Sequence, residues 1–165
     1  LDKLFDNPLI DFTFKVKDIN LGDLTKGLNE EVYISGVMDI EGKGYYSNGS
    51  PVLELIFKTK KSKGVKQVMN FGAVKFISSL GGGNPIKSIG SANFRYNLIS
   101  GKVRIKDGYL TIEGLAGKKG DKYFLVKSGL FGGINISIDK RNTIKIEDLI
   151  RIITKQVGSF STSFH

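Results

Sequence analysis

GKVRIKDGYLTIEG, residues 101–114, alternates apolar and polar side chains around a single turn signal. Val103 and Ile105 lead into Asp107–Gly108, and Leu110 and Ile112 lead out of it. A period of two is that of a strand with one side buried, and an Asp-Gly pair between two such runs reads as a tight hairpin. The same grammar runs outward in both directions. Towards the N-terminus, DFTFKVKDI sets Phe12, Phe14 and Val16 against Thr13, Lys15 and Lys17. EVYISGVMDIEGKGYYSNG places Val32, Ile34, Met38 and Ile40 on one face of a strand and ends in the turn pair Asn48–Gly49. PVLELIFKTK is apolar on both sides at its centre, and SANFRYNLIS alternates Phe94, Tyr96 and Leu98. Towards the C-terminus, further short strands follow AGKKGDK, and GGINISIDKRN alternates Ile134, Ile136 and Ile138. Short strands at turn spacings of about ten residues describe an antiparallel meander, a curved sheet or groove in the α+β class.

Three segments carry the helical period instead. Leu21, Leu24 and Leu28 predict a short helix at about 19–28. Val65, Val68, Met69, Gly72, Ala73, Phe76, Ile77 and Leu80 follow the i, i+3, i+4, i+7 pattern of one long amphipathic helix over about 64–80. Leu149, Ile150, Ile153 and Val157 predict a C-terminal helix at about 146–157. Gly81, Gly82 and Gly83 come after the long helix and are followed by Asn84–Pro85. A phosphate-binding loop precedes its helix, because the free N–H groups are at the N-terminus, so these glycines read as a stop signal. Residues 1–158 are read as one β-rich domain with a frayed tail at 159–165. The chain begins at Leu1 and is read as a fragment of a larger protein.

Composition narrows the chemistry. There is no Cys, and the single His is His165 at the C-terminus. Nucleophilic triads, Cys-His pairs and the usual zinc sites therefore lack their residues. Asp39 and Glu41 share a strand face, as paired carboxylates of a glycosidase could, but their alternation with Met38 and Ile40 points them to solvent. No catalytic residue, metal, cofactor or small-molecule substrate is expected. The net charge of +9 favours polyanionic partners, and Lys rather than Arg dominates. Basic residues interleave with aromatics in NFRYNL and KKGDKYFLVK, but no RNA- or DNA-binding signature accompanies them, so no nucleic-acid partner is expected.

VKDINLGDLTKGLNEEVYISGVMDIEGKG, together with the hairpin pattern G-x-V-x-I-x-D-G-x-L-x-I-x-G at Gly101–Gly114, resembles the AsmA-like bacterial envelope proteins of the TamB and YhdP types. The resemblance touches most of residues 10–155. It implies a long curled β-sheet with an apolar groove, in a protein anchored in the inner membrane and exposed to the periplasm. It further implies phospholipid as partner, with transport between the two membranes or outer-membrane assembly as the role, and a membrane or envelope protein beside it. The helix at 64–80 departs from the uninterrupted β-structure of that family.

The alternation nominates Phe12, Phe14, Val32, Ile34, Met38, Ile40, Phe94, Tyr96, Val103, Ile105, Leu110 and Ile112 as the inward, lipid-contacting set. Lys60, Lys61, Lys63 and Lys66 are the candidates for headgroups or another anionic surface. A different reading remains open beside this one: a basic structural or interaction domain whose apolar residues form an ordinary closed core.

Overall fold

The computed structural model describes residues 11–28, 31–80, 93–117, 124–128, 133–138 and 142–151. The protein is α+β and mostly antiparallel, built on an open, curved sheet that does not close into a barrel. The main sheet runs β1 (Phe12–Asn20), β3 (Val37–Ser47), β4 (Ser50–Lys60), β7 (Leu98–Lys106), β8 (Tyr109–Gly114) and β11 (Thr143–Lys145), in that spatial order. β9 (Phe124–Lys127) pairs with the start of β7, and β10 (Ile136–Ser137) pairs with β9. A second sheet of three two-residue strands holds β5 (Val68–Met69) between β2 (Ile34–Ser35) and β6 (Phe94–Arg95).

Both hairpin turns read from the sequence form as two-residue loops. Asn48 and Gly49 have φ of 54° and 75°, and Asp107 and Gly108 have φ of 52° and 76°. Two consecutive left-handed residues match the twist of the flanking strands, which is why Asn-Gly and Asp-Gly occupy these sites. They fix the register Ser47↔Ser50 and Lys106↔Tyr109, and everything else in the main sheet follows from it. Phe12 and Phe14 lie opposite Gly44 and Gly42, then come Leu53 and Leu55, Ile105 and Val103, and Leu110 and Ile112. One face is therefore apolar across five strands. The other carries Lys15, Asp39, Glu41, Lys43, Glu54, Lys58, Lys60, Lys102, Arg104 and Glu113 at the alternate positions.

The structure corrects four element boundaries. The stretch from Val32 to Ile40 is not one strand. It breaks at Gly36, so that Ile34 pairs with Met69 in the small sheet while Met38 and Ile40 belong to the large one, and Val32 lies outside any strand. A Cβ at Gly36 would collide with the Tyr96 hydroxyl, which donates to Ser35 O at 2.8 Å. Only glycine lets the ring approach so closely at this break. Phe94 and Tyr96 likewise leave the strand that starts at Leu98: Phe94 pairs in the small sheet and Tyr96 N–H bonds Gln67 O at 3.2 Å.

The long helix, α2, spans Phe71–Leu80 and not 64–80. Asn70 starts it by accepting the Ala73 N–H on its Oδ1 at 2.9 Å, the capping bond that satisfies an otherwise orphaned donor. Residues 61–66 form a tight hairpin instead, with a Ser62–Val65 bridge and Gly64 at φ 80°. The first helix, α1 (Leu21–Leu28), begins after Ile19, which stays in β1. Asn20 caps it by accepting the Gly22 N–H at 2.9 Å. The C-terminal helix, α3, is described over 146–151, and the expected remainder to 157 lies outside the described residues, as do Gly81–Gly83 and the 159–165 tail.

The core lies on the apolar face, mostly at the end away from the two hairpin turns, but along β8 it reaches Leu110 beside the Asp107–Gly108 turn, where Ile146 N–H bonds Gly108 O at 3.0 Å. Met69 and Val74, from the small sheet and α2, and Val126, from β9, are the largest fully buried side chains. Leu21, Val32, Ile34, Met38, Ile77, Tyr96, Ile99, Leu125, Ile136 and Ile138 join them, and Ile146 and Leu149 of α3 pack on the same cluster near Leu110 and Ile112. Each fully buried aliphatic side chain contributes roughly 1.5–3 kcal/mol of transfer free energy. Thr59 is buried here without loss, because its Oγ1 accepts the Ile99 N–H at 2.9 Å and donates to Ile99 O at 3.3 Å.

Candidate functional site

Among the described residues, the cover over the apolar face is partial. Along the β1 edge, Phe12 is 49% exposed, Phe14 38% and Val16 44%, although all three lie on the apolar side. Leu53, Leu55, Val103 and Ile105 continue the same face inward and are half-buried. Gly42 and Gly44 explain how Phe12 and Phe14 are held. A Cβ at Gly42 would strike the Phe14 ring, and one at Gly44 would strike the Phe12 ring. The two rings therefore lie flat over bare backbone in the neighbouring strand, stacked with centroids 6.3 Å apart and planes 20° from parallel. Such aromatic cover of a cross-strand glycine fixes the rings while leaving their outer surface to solvent.

The nominated apolar residues divide into three groups. Phe12 and Phe14 are exposed at the β1 edge, while Ile40, Val103 and Ile105 are half-buried on the same continuous face. Val32, Ile34, Met38, Tyr96, Leu110 and Ile112 are buried in the core, and Phe94 packs against that core from β6. The structure thus leaves two of the twelve, Phe12 and Phe14, exposed, while Ile40, Val103 and Ile105 pack against the core from the same face. Val16, Leu53 and Leu55 belong to it as well. Their signal was the register: once Phe14 is opposite Gly42, Leu55 must follow on the same side.

The opposite face is a lattice of ion pairs. Glu54 is at its centre, with Lys43 Nζ at 3.0 Å, Lys102 Nζ at 3.5 Å, Arg104 Nε at 3.6 Å and the Tyr45 hydroxyl donating at 3.1 Å. Burial would raise the Glu54 carboxyl, but the Lys43 and Tyr45 hydrogen bonds and the Lys102 charge outweigh it and hold the carboxyl below its ordinary range. The Glu54 carboxylate in turn raises Lys43. Lys60 bridges Asp18 at 2.8 Å and Asp39 at 2.8 and 3.0 Å, and Asp39 also accepts the Asp18 N–H at 2.9 Å. The Lys60 bond and the Asp18 N–H lower the Asp39 carboxyl, and the two carboxylates raise Lys60. Glu41 pairs with Lys15. Asp39 and Glu41, the carboxylates considered for acid–base work, are each bound by a lysine.

A shallow depression of about 500 Å³ lies on this charged side of β1, β3 and β4, with Lys15, Glu41, Lys43, Glu54 and Ile56 among its lining. Of the four nominated lysines, Lys60 is committed to Asp18 and Asp39. Lys61, Lys63 and Lys66 are exposed in the 61–66 hairpin, with no carboxylate in ion-pair range among the described residues. No group of three or more metal-ligating side chains occurs among the described residues, and no described helix is long and apolar enough to cross a membrane.

The fold and this surface define an α+β protein with a half-covered antiparallel sheet. No family model, curated protein or solved structure matches the chain.

Proposed function

We propose that this chain is a non-catalytic lipid-handling domain whose uncovered apolar sheet surface takes the acyl chains of phospholipid. One observation carries the reading: the exposed ladder of Phe12, Phe14 and Val16, continuous with the half-buried Leu53, Leu55, Val103 and Ile105. A contiguous apolar surface of this kind on a sheet, with a charged reverse face, fits an extended hydrocarbon ligand. The wider setting rests on the AsmA-like resemblance. In that setting the chain is part of an inner-membrane-anchored protein on the periplasmic side of the envelope, moving phospholipid between the membranes or serving outer-membrane assembly.

The burial of Val32, Ile34, Met38, Tyr96, Leu110 and Ile112 favours a second reading, a basic interaction domain with an ordinary core that meets a protein partner or an anionic surface. Mass spectrometry of an organic extract of the purified protein separates the two. Stoichiometric phospholipid that disappears in Phe14→Asp, with the circular dichroism spectrum unchanged, supports the lipid reading. A lipid-free protein that also fails to take up a fluorescent phospholipid from vesicles refutes it.

A further inference from the structure

The 61–66 hairpin carries three lysines and no carboxylate. Residues 55–106 contain nine Lys and two Arg and no Asp or Glu. In most of the main sheet such cations have carboxylates across the strand, as Lys43, Lys102 and Arg104 have Glu54. The hairpin follows Lys60, the last residue of β4, which is itself paired with Asp18 and Asp39. Lys61, Lys63 and Lys66 beyond it are all exposed.

Its shape is fixed by the backbone and not by those side chains. Val65 N–H bonds Ser62 O at 3.2 Å, and Gly64 takes the left-handed conformation at φ 80° that closes the turn. A side chain of another type would be strained at Gly64. The turn presents Val65, 39% exposed, between the lysines. An apolar side chain with cations on both sides matches the interface of an anionic bilayer: the hydrocarbon enters between headgroups while ammonium groups meet phosphates. A nucleic-acid strand would call instead for an aromatic platform, and the hairpin has none.

We infer that the Lys61–Lys66 hairpin is a membrane-docking element that recognises an anionic phospholipid surface, with Val65 entering the interface and Lys61, Lys63 and Lys66 over the phosphates. It follows the Lys60 end of β4, whereas Phe12 and Phe14 are in register with Leu53 and Leu55 toward the Ser50 end, so docking and acyl-chain uptake can fail independently.

The test is cosedimentation of the 165-residue chain with vesicles of phosphatidylcholine, with and without phosphatidylglycerol. The variant Lys61→Gln/Lys63→Gln/Lys66→Gln is compared with Lys17→Gln/Lys58→Gln/Lys145→Gln, which removes the same charge from exposed sites elsewhere. At ~1 kcal/mol for each Lys near an anionic surface, the hairpin variant loses affinity about a hundredfold for the phosphatidylglycerol vesicles, and the control triple loses far less. Because the chain has no Trp, Val65→Trp supplies an unambiguous reporter, expected to shift to shorter emission wavelength on those vesicles only. Equal losses in the two triples would reduce the effect to diffuse charge and overturn the proposal. So would a Val65→Trp emission maximum that stays at its buffer value on phosphatidylglycerol vesicles, or retention of duplex DNA in preference to vesicles.

Discussion

Replacing Tyr96 by Phe removes one oxygen atom at the joint between the two sheets, and its effect should depend on pH in a defined way. The hydroxyl donates to Ser35 O at 2.8 Å, and the residue is only 2% exposed. Without it the Ser35 carbonyl loses its side-chain donor in a partly buried setting, so Tyr96→Phe should cost about 1–2 kcal/mol at neutral pH. Burial also raises the phenol from 10.0 to about 12. The folded state therefore holds this proton more tightly than the unfolded chain does. Its stabilisation is complete below pH 10 and is lost as pH rises from there through the folded value. At pH 11 the loss amounts to about 1.4 kcal/mol, because the unfolded phenol is then deprotonated by about ten to one while the folded one keeps its proton. Phe has no such proton. The stability gap between the two proteins should thus shrink from about 1–2 kcal/mol at pH 7 to near zero at pH 11. Urea unfolding followed by far-ultraviolet circular dichroism at both pH values measures this, and every other titrating group cancels in the comparison. A gap that stays constant with pH would refute the reasoning, because it would mean that the phenol titrates alike in both states.

Other outcomes follow from the same geometry. Asn70 is both the cap of α2 and the partner of Tyr33 N–H and Glu31 O, so Asn70→Ala should destabilise by about 2 kcal/mol in urea titrations, and Asn70→Asp, which keeps the cap acceptor, by clearly less. A Cβ at Gly72 would run into the Glu31 carbonyl, so Gly72→Ala should lower the melting temperature despite the better helix propensity of Ala. The Glu54 carboxyl is held below its ordinary 4.5, so its contribution is present above that pH and lost as pH falls through the folded value. Glu54→Gln should therefore flatten the acid side of the stability profile measured between neutral and acidic pH. Gly42→Ala should lift the Phe14 ring from the sheet and reduce uptake of a fluorescent phospholipid, while Gly49→Ala, at a site with open space, should leave uptake unchanged at a modest loss of stability from its φ of 75°.

The main sheet was legible because its information is local. Asn48–Gly49 and Asp107–Gly108 specify two hairpins outright, and alternation then assigns Phe12, Phe14, Ile40, Val103 and Ile105 to one face. The small sheet was not legible, because two-residue strands are too short to show a period. Val65, Val68 and Met69 continue the apolar spacing of α2 by coincidence, and the competing signals, Gly64 as a turn residue and Asn70 as a cap, are single residues. The division of the apolar set into core and open surface was equally hidden. Tyr96 and Phe14 have the same alternation, and only the packing of α2, the small sheet and β9 over one end of the face separates them. The commitment of Lys60 to Asp18 and Asp39 needed the bulge between Val16 and Ile19, where Asp18 takes φ 60°.

β4 and β7 are direct antiparallel neighbours, paired as far as Lys58↔Ser100, and the Thr59 hydroxyl extends the contact to Ile99. The chain therefore leaves the main sheet at Lys60 and re-enters it at Leu98 from adjoining positions, about one strand spacing apart. Residues 61–97 have the layout of an insertion: a two-residue turn at the same place would preserve the register on both sides. By loop-closure entropy alone, the long connection in place of such a turn costs roughly 3 kcal/mol, and the burial of Met69 and Val74 offsets it. The cationic hairpin can therefore vary in length and sequence without disturbing the strand order on which the apolar surface depends, whereas Met69, Val74 and Ile77 of the same segment are held by the core.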